Sequence, residues 1–412
     1  MNFNQCLENY AELTVKVALN VQPGETVWIN CSLHQPEFVR LVVRKAYEAG
    51  AKQVHVEWSD DEVTRIRYQS APQDSFGEYP EWRADAITKI AAEGGAYLLI
   101  ESRDPDLLAG TDPARSTAFQ KAAGVALAKW REYTYTDRAT WSIVAAPSVA
   151  WAEKVFPERQ GEEAVRALWE AIFRATRADQ ENPVTAWKGH NEALDNRVRQ
   201  LNAKQYRKLH YRAPGTELTV ALPERHVWHG GKTVNAKGNA FNPNVPTEEV
   251  FVSPHREGTE GCVTSTKPLS YNGTLIENFT LTFKQGRVVD FKAEKGYESL
   301  KELIELDEGS HYLGEAALVQ HNSPISNSNL IFFNTLFDEN ASNHLAIGRA
   351  FSTSLADGAD LSPEELSKRG LNDSLTHIDF MIGSAEMDID GELADGTREP
   401  VFRGGNWALN AD

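Results

Sequence analysis

Imidazole and carboxylate side chains cluster in the last quarter of this chain. Glu339 and His344 lie in the segment FDENASNHLAIG, and His377 and Asp379 are separated by one residue in THIDFMIG. Histidine nitrogens combined with carboxylate oxygens suit zinc, cobalt, manganese or iron, whereas ligand sets made only of oxygen suit calcium or magnesium. These residue types therefore indicate a metal site.

The spacing within THIDFMIG predicts how two of these side chains are presented. If residues 376–382 form a strand, His377 and Asp379 point to one face, and the apolar residues that alternate with them point to the other. An imidazole and a carboxylate would then lie side by side on a strand anchored in the core. The spacing alone also allows two alternatives: Asp379 only orients His377 by a hydrogen bond, or both are ordinary surface residues.

Glutamates also interrupt two apolar stretches upstream. Glu248 and Glu249 precede the apolar run Val250–Val252, and Glu315 lies inside the apolar segment Leu313–Val319. A buried carboxylate is costly unless a cation or a hydrogen-bond donor pairs with it. The alternatives are solvation at a strand edge for the first pair, and a salt bridge or a helix cap for Glu315.

Composition and charge exclude several classes of protein. Asp and Glu total 59 against 42 Lys and Arg, a formal net charge of −17, so we expect no nucleic-acid partner bound through its phosphates. Runs of about 18 apolar residues are absent, as is the basic-then-apolar pattern of a signal peptide. The three cysteines have no CxxC spacing, which argues against a disulfide framework and a thiolate zinc site. We therefore expect a cytoplasmic protein without a membrane partner.

Helical and strand patterns alternate through the first half of the chain. The strand patterns are GETVWINCSL, QVHVEWSD, AYLLIES and TWSIVAAPS, and the helical patterns that precede them are Phe3–Leu19, Glu37–Ala49, Trp82–Glu93 and Ser116–Tyr133. This rhythm predicts a mainly parallel sheet covered by helices.

The pattern changes near Pro214. Two helical stretches, residues 161–178 and 189–208, come before that point, and alternating strands with Gly and Asn turns follow it. Turns predicted at Asn272-Gly273 and Gln285-Gly286 indicate an antiparallel meander. We therefore predict an α/β protein with an N-terminal α/β domain at residues 1–210, and a C-terminal α+β domain of largely antiparallel strands at residues 211–412 that carries the metal site.

Four ordered motifs resemble the M29 family of metalloaminopeptidases, which includes aminopeptidases T, S and PepS. They are PTEEVF at residues 246–251, GEAALV at 314–319, FDENASNHLAIG at 337–348 and HIDFMIG at 377–383. The similarity covers essentially the whole chain. It implies a hydrolase that removes N-terminal residues from short peptides, and a homodimer whose active sites face an internal cavity.

The resemblance also implies a site for two divalent metal ions, with cobalt, zinc and magnesium as the associated metals, and the ligand types add manganese as a candidate. Position by position, it assigns their ligands to Glu249, Glu315, Glu339, His344, His377 and Asp379, with Glu315 as the bridging residue. A carboxylate free of coordination moves the proton from water to the leaving amine. Glu315 and Glu339 are the candidates for that catalytic role.

One position departs from the family pattern. Family members usually carry a tyrosine seven residues after the histidine of FDENASNH, where this chain has Phe351. A phenol could donate a hydrogen bond to the oxyanion, and losing one such donor costs about a hundred- to a thousandfold in rate. Ser352, Thr353 or a bound metal could replace it.

Two other functions use the same residues. A ring-cleaving dioxygenase would hold one iron with two histidines and one carboxylate, which His344, His377 and Asp379 could supply. A peptide-binding protein without turnover is the third alternative, and Phe351 supports it. The three additional glutamates favour two metals and hydrolysis.

Overall fold

The computed structural model describes residues 1–271 and 274–409. The chain divides into two compact units: the first contains Met1–His190 and Lys232–Pro246, and the second contains Asn191–Gly231 and the residues from Thr247 onward. The boundary predicted between residues 210 and 211 stays a prediction. None of the described helices is both long and apolar enough to cross a lipid bilayer. The cytoplasmic location also stays a prediction.

The described α-helices lie mostly in the first half of the chain. They are α1 Phe3–Leu13, α2 Pro36–Glu48, α3 Asp61–Ser70, α4 Glu81–Ala92, α5 Pro113–Ala126, α6 Ala128–Tyr135, α7 Val149–Val155, α8 Gly161–Ala175, α9 Pro183–Lys204, α10 Tyr297–Ile304, α11 Thr335–Asp338 and α12 Pro363–Lys368. A π-helical turn, Thr14–Ala18, continues α1.

The described strands lie mostly in the second half. They are β1 Thr26–Ser32, β2 Gln53–Ser59, β3 Ala96–Glu101, β4 Thr140–Ala145, β5 Lys208–Ala213, β6 Thr216–Ala221, β7 His229–Gly230, β8 Thr233–Val234, β9 Ala240–Phe241, β10 Glu249–Val252, β11 Thr259–Thr264, β12 Leu269–Tyr271, β13 Thr274–Ile276, β14 Thr280–Lys284, β15 Arg287–Lys292, β16 Leu313–Val319, β17 His344–Gly348, β18 His377–Met381, β19 Asp388–Glu392, β20 Arg398–Arg403 and β21 Asn406–Trp407.

The first unit is built on a parallel sheet with strand order β2-β1-β3-β4. Each neighbouring pair is parallel, and such pairs need crossover connections, which the intervening helices supply. Val27, Ile29 and Leu98 have no exposed surface, because helices cover the sheet. The α/β fold with a parallel sheet, expected from the alternating patterns, is confirmed.

Several helical details differ from the sequence patterns; for example, α7 was not predicted, and α9 begins at Pro183 rather than at residue 189. The stretch Ser116–Tyr133, predicted as one helix, lies in two helices, α5 and α6, which meet at Leu127. The patterns also passed over α3, which Asp60 caps by accepting a hydrogen bond from the backbone N–H of Val63 at 2.9 Å.

Among the described residues, the second unit contains two large antiparallel sheets and a two-stranded one, β12-β13. One large sheet has the order β15-β14-β11-β6-β5-β19-β20-β21, and the other has the order β18-β17-β16-β10-β7. Apolar side chains of both large sheets share one hydrophobic core, which includes Leu218, Val263, Leu318 and Phe380. The largely antiparallel strands predicted for this half are therefore present.

The hairpin of β14 and β15 confirms one predicted turn. Gln285 and Gly286 both have positive φ, 49° and 77°, as a two-residue hairpin turn requires. The second turn, predicted at Asn272-Gly273, lies outside the described residues.

Candidate metal centre

The five-stranded sheet presents carboxylates and imidazoles on one face. In its register, Ala346 on β17 lies between Glu315 on β16 and Asp379 on β18. Directly paired residues of an antiparallel sheet point to the same face, and His377 joins them because it lies two residues before Asp379. The opposite face of β18 is in the core, where Phe380 is buried.

A second row of paired residues crosses the same face. It runs from His229 on β7 through Phe251 on β10 and Ala317 on β16 to His344 on β17. Glu249 lies two residues before Phe251 and therefore points the same way. Ala317, like the alanine of the first row, extends only a methyl group above the sheet. Space therefore remains between the larger side chains of this face.

Buried asparagines fix the segment that leads into β17 and positions Glu339 and His344. Asn340 has no exposed surface, accepts a hydrogen bond from the Glu248 backbone N–H at 2.7 Å, and donates to a carbonyl of α11 at 3.0 Å. Asn343 accepts from the last backbone N–H of β16 at 2.7 Å. These bonds tie the segment to the beginning of β10 and the end of β16.

Two histidines connect three carboxylates. His344 Nε2 lies 3.2 Å from Glu249 Oε2 and 3.8 Å from Glu315 Oε1. His377 Nε2 lies 3.1 Å from Glu315 Oε2 and 3.5 Å from Asp379 Oδ1. The potential ligand atoms form two groups, each with all atoms within 4.8 Å of one another, and both groups include Glu315. Each carboxylate oxygen of Glu315 thus faces a different histidine.

The backbone sets the tautomer of both histidines. His344 Nδ1 lies 3.1 Å from the carbonyl oxygen of Ser342, and His377 Nδ1 lies 2.7 Å from that of Arg349. A carbonyl oxygen only accepts, so Nδ1 carries a proton in each ring. A neutral imidazole then directs its Nε2 lone pair at the carboxylates, and two facing acceptors need a proton or a cation between them. This donor set fits divalent metal ions.

Without a metal ion, a proton on each histidine Nε2 lies between the imidazole and the facing carboxylates. Burial lowers the pKa of His344, but the hydrogen bond and charge of Glu249 outweigh burial and raise that pKa to about 10. Burial also opposes a charged His377, yet the charges of Asp379 and Glu315, together with the hydrogen bond to Glu315, raise its pKa well above the usual value. Metal binding must therefore displace protons from both rings.

Burial and the closeness of the charged groups also shift the pKa values of the carboxylates. Burial raises the pKa of Glu315, and burial together with the charges of Glu249 and Asp379 raises the pKa of Glu339 well above its usual value. Burial also opposes the ionised form of Asp379, but the charge of the neighbouring His377 lowers its pKa overall. Divalent cations would neutralise the repulsion among these carboxylates.

One carboxylate oxygen, Asp379 Oδ1, gives a further test of whether these residues suit a metal ion. Asp379 Oδ1 is buried and has no hydrogen-bond partner among the described residues; its ion-pair contact is with His377 Nε2 at 3.5 Å. A buried ionised oxygen without a donor is unfavourable in a protein interior. A metal ion bound at this oxygen would remove that cost.

Comparison with known proteins adds to this geometry. The family described as thermophilic metalloprotease M29 matches residues 3–407. Aminopeptidase AmpS of Bacillus subtilis is 56% identical over 408 residues, which cover 99% of this chain and 100% of that protein. This chain belongs to the M29 metalloprotease family. Aminopeptidase 2 of Geobacillus stearothermophilus is 54% identical, with 98% of each protein covered.

A solved structure shows the same fold for an M29 relative. Wild-type AmpT from Thermus thermophilus has a TM-score of 0.94 to this chain at 43% sequence identity. The match covers 99% of this chain and 100% of that one. The family predicted from the four motifs is confirmed over the whole length.

Glu339 lies beside the two donor groups of this M29 protein rather than within them. It is buried, and its charge interacts with the carboxylates and with His344. Asn340 Nδ2 donates a hydrogen bond to Glu339 Oε1 at 3.4 Å. The structure therefore brings five of the six predicted ligands into two groups and places the sixth next to them. Metal ligation by all six stays a prediction.

Phe351 packs against one of the two groups. Its ring centroid is 4.9 Å from that of His377 and 5.5 Å from that of Phe251. Its backbone N–H donates to Ser253 Oγ at 2.9 Å. A phenyl ring carries no hydroxyl, so this side chain offers no hydrogen bond to an oxyanion.

The aromatic part of this face is not evident from the sequence patterns. They indicate only that Phe251 belongs to an apolar strand, and they give His229 no role. Phe251 could have been found from its spacing, because it lies two residues after Glu249 and so shares its face. His229 carries no local signal, since it joins the row only through strand pairing with β10.

Proposed function

We propose that this M29 protein releases N-terminal amino acids from short peptides, with a water molecule activated by two divalent metal ions. It belongs to a metalloprotease family and is 54–56% identical to aminopeptidases over nearly its whole length, which establishes it as a metal-dependent aminopeptidase. The two-metal part of the proposal is supported chiefly by one observation: Glu315 belongs to both groups of potential ligands.

Each donor group is proposed to hold one ion. Glu249 and His344 belong to the first group, His377 and Asp379 belong to the second, and Glu315 is shared. With Glu339, the site has four carboxylates and two neutral imidazoles, whose charge of about minus four two divalent cations would balance. Zinc, cobalt, manganese and magnesium are the candidate ions. When bound, they supply a water of lowered pKa and polarise the scissile carbonyl.

Glu339 is the better candidate for the general base, and we propose it in that role in place of the ligand role that the family resemblance assigns to it. Both oxygens of Glu315 face histidines, which suits a bridging ligand, whereas Glu339 lies outside both groups. A buried carboxylate with a raised pKa is suited to taking a proton from water and giving it to the leaving amine. We expect Glu339→Gln to keep the metal content and lose hydrolysis. Full activity in that variant would refute the assignment.

The substrate and assembly proposals come from family resemblance. An aminopeptidase needs a contact for the free α-amine and a wall that stops longer chains from passing through. A homodimer that encloses the active sites in a cavity would supply such a wall and would favour short peptides. Size-exclusion chromatography with light scattering tests this: a monomer at working concentration would refute the enclosed cavity.

The defining experiment is hydrolysis after metal removal and reconstitution. The protein is stripped with a chelator, supplied with each candidate metal, and assayed on short peptides with free or N-acetylated N-termini. Hydrolysis that depends on metal and requires a free N-terminus supports the proposal. Metal-dependent cleavage of acetylated peptides at equal rates would overturn the aminopeptidase specificity.

The iron dioxygenase alternative finds no support in the geometry. It needs both histidines and one carboxylate around a single ion, but His344 and His377 belong to different groups that share only Glu315. The peptide-binding alternative rests on Phe351 alone. The reconstitution experiment distinguishes it, because tight peptide binding without turnover is its mark.

A further inference from the structure

The face that carries the metal-ligand groups also carries a row of aromatic rings. The ring centroids of His229 and Phe251 are 5.8 Å apart, those of Phe251 and Phe351 are 5.5 Å apart, and those of Phe351 and His377 are 4.9 Å apart. The row therefore leads from strand β7, at the edge of the sheet, directly to a proposed metal ligand.

The two phenylalanines of this row are only half-buried. Most large aromatic side chains of this unit that belong to the core, such as Phe380 and Phe402, have at most 1% of their surface exposed. Phe251 and Phe351 are instead partly exposed, and Phe351 lies next to His377. Ala317, paired with Phe251 on one side and His344 on the other, leaves space between the rings and the ligands.

Hydrogen bonds hold the segment that carries Phe351 in place. The Phe351 backbone N–H donates to Ser253 Oγ at 2.9 Å, and His229 Nε2 donates to the Thr353 carbonyl at 2.7 Å. The backbone N–H of Val227 donates to the Ser354 carbonyl at 2.8 Å. These bonds fix the backbone from which the Phe351 side chain projects.

We propose that Phe251 and Phe351 form the subsite for the side chain of the substrate's N-terminal residue, and that this subsite selects large apolar side chains. The inference rests on the proposed aminopeptidase function. The scissile carbonyl must lie at the metal ligands, and the N-terminal side chain is attached one carbon away from it. The Phe351 ring contacts His377 and, with Phe251, gives this face a large apolar surface beside the proposed ligands.

The chemistry of this apolar surface predicts the order of preference. Leucyl and phenylalanyl side chains would cover apolar ring surface, whereas an alanyl methyl group would leave most of it exposed to water. Aspartyl side chains would place a charge against the rings and close to the carboxylates of the site. We therefore expect kcat/KM to fall in the order leucyl or phenylalanyl, alanyl, aspartyl. One to a few methylene groups in such a pocket change kcat/KM by roughly tenfold or more.

The test compares Phe251→Ala with Phe251→Leu and with Phe291→Ala. Phe291 is a matched control, because it is a half-buried phenylalanine of β15 that stacks on Tyr297, 5.4 Å between centroids. Each variant is assayed on dipeptides X-Gly with leucine, phenylalanine, alanine and aspartate as X. Phe251→Ala should reduce the leucyl-to-alanyl ratio of kcat/KM by roughly tenfold, while Phe251→Leu and Phe291→Ala should keep it.

A second readout does not depend on turnover. Calorimetric titration of metal-loaded protein with the products L-leucine and L-alanine should show tighter binding of leucine, and Phe251→Ala should remove that difference. Metal content and thermal unfolding of each variant identify any that fails to fold. If no dipeptide is hydrolysed, the proposed function fails, and product binding still decides the subsite.

Two results would overturn the subsite. One is an equal fall in kcat/KM for all four dipeptides in Phe251→Ala, which would make Phe251 a positioning residue only. The other is wild-type protein that hydrolyses alanyl or aspartyl dipeptides as well as leucyl ones and binds leucine and alanine equally.

Discussion

Replacing Glu315 by glutamine should affect both metal positions, whereas replacing a residue of one group should affect only one. Each oxygen of Glu315 faces a different histidine, at 3.8 Å and 3.1 Å. In Glu315→Gln one oxygen becomes an NH2 group, which donates rather than ligates, and the site also loses one negative charge. Both effects weaken cation binding at the two groups together.

The size of the effect follows from the loss of an anionic ligand. Mutation of a residue that only hydrogen-bonds to a metal ligand lowers metal affinity by about 10–100-fold. Loss of a carboxylate that binds the metal directly should therefore lower the affinity by about 100-fold or more. At a free metal concentration about ten times the wild-type Kd, each wild-type position is about nine-tenths filled, and a position weakened 100-fold is about one-tenth filled. Glu315→Gln should then hold well under one metal per chain, against about two in wild type.

The assay is metal content by mass spectrometry after equilibrium dialysis at that free metal concentration. Glu249→Gln and Asp379→Asn each alter one group, so each should keep about one metal per chain. Glu308→Gln is a matched surface control, because the Glu308 side chain is 65% exposed. This variant should keep about two metal ions per chain. Wild-type metal content in Glu315→Gln, or complete loss of both metals in each single-group variant, would refute the shared role.

Three further predictions follow from named contacts. Phe351→Tyr places a phenol beside His377, so kcat should rise by about a hundredfold or more at unchanged metal content; an unchanged kcat in steady-state assays would show that another donor already serves. In metal-free protein, the raised pKa of His344, about 10, contributes stability that is complete below the unfolded pKa of about 6.5 and is lost as the pH rises toward 10. The melting temperature of stripped protein should therefore fall across that range, and a flat profile would contradict the hydrogen-bonded imidazolium. Asn340→Ala leaves a buried N–H and a buried carbonyl without their partner and should lower the free energy of unfolding by about 2–4 kcal/mol in denaturant titrations; a change under about 0.5 kcal/mol would show that water replaces the side chain.

Local patterns in the sequence predicted much of the fold. Apolar alternation and turn residues correctly indicated the parallel sheet, the β14–β15 hairpin and the strand containing His377 and Asp379. These features depend on residues close together in sequence, where period and turn chemistry act directly. The division into α5 and α6 could not be predicted, because the helical pattern continues across Leu127, where the two helices meet.

The arrangement of the site depended on long-range pairing that no local pattern contains. His229 and His344 share a row only because β7, β10, β16 and β17 pair in one register. The side-by-side placement of Glu315 and Asp379 likewise depends on Ala346 of the strand between them. The candidate ligands could be named from motifs, whereas the division into two groups that share Glu315 required the structure.

The most direct test of the two-metal aminopeptidase is a titration of stripped protein with a single metal while peptide hydrolysis and bound metal are measured on the same samples. We expect release of the N-terminal residue from a leucyl dipeptide to rise with bound metal and to reach its maximum at about two ions per chain. The N-acetylated dipeptide should stay intact throughout. Full activity at one bound ion per chain, or no hydrolysis when two are bound, would contradict the two-metal proposal.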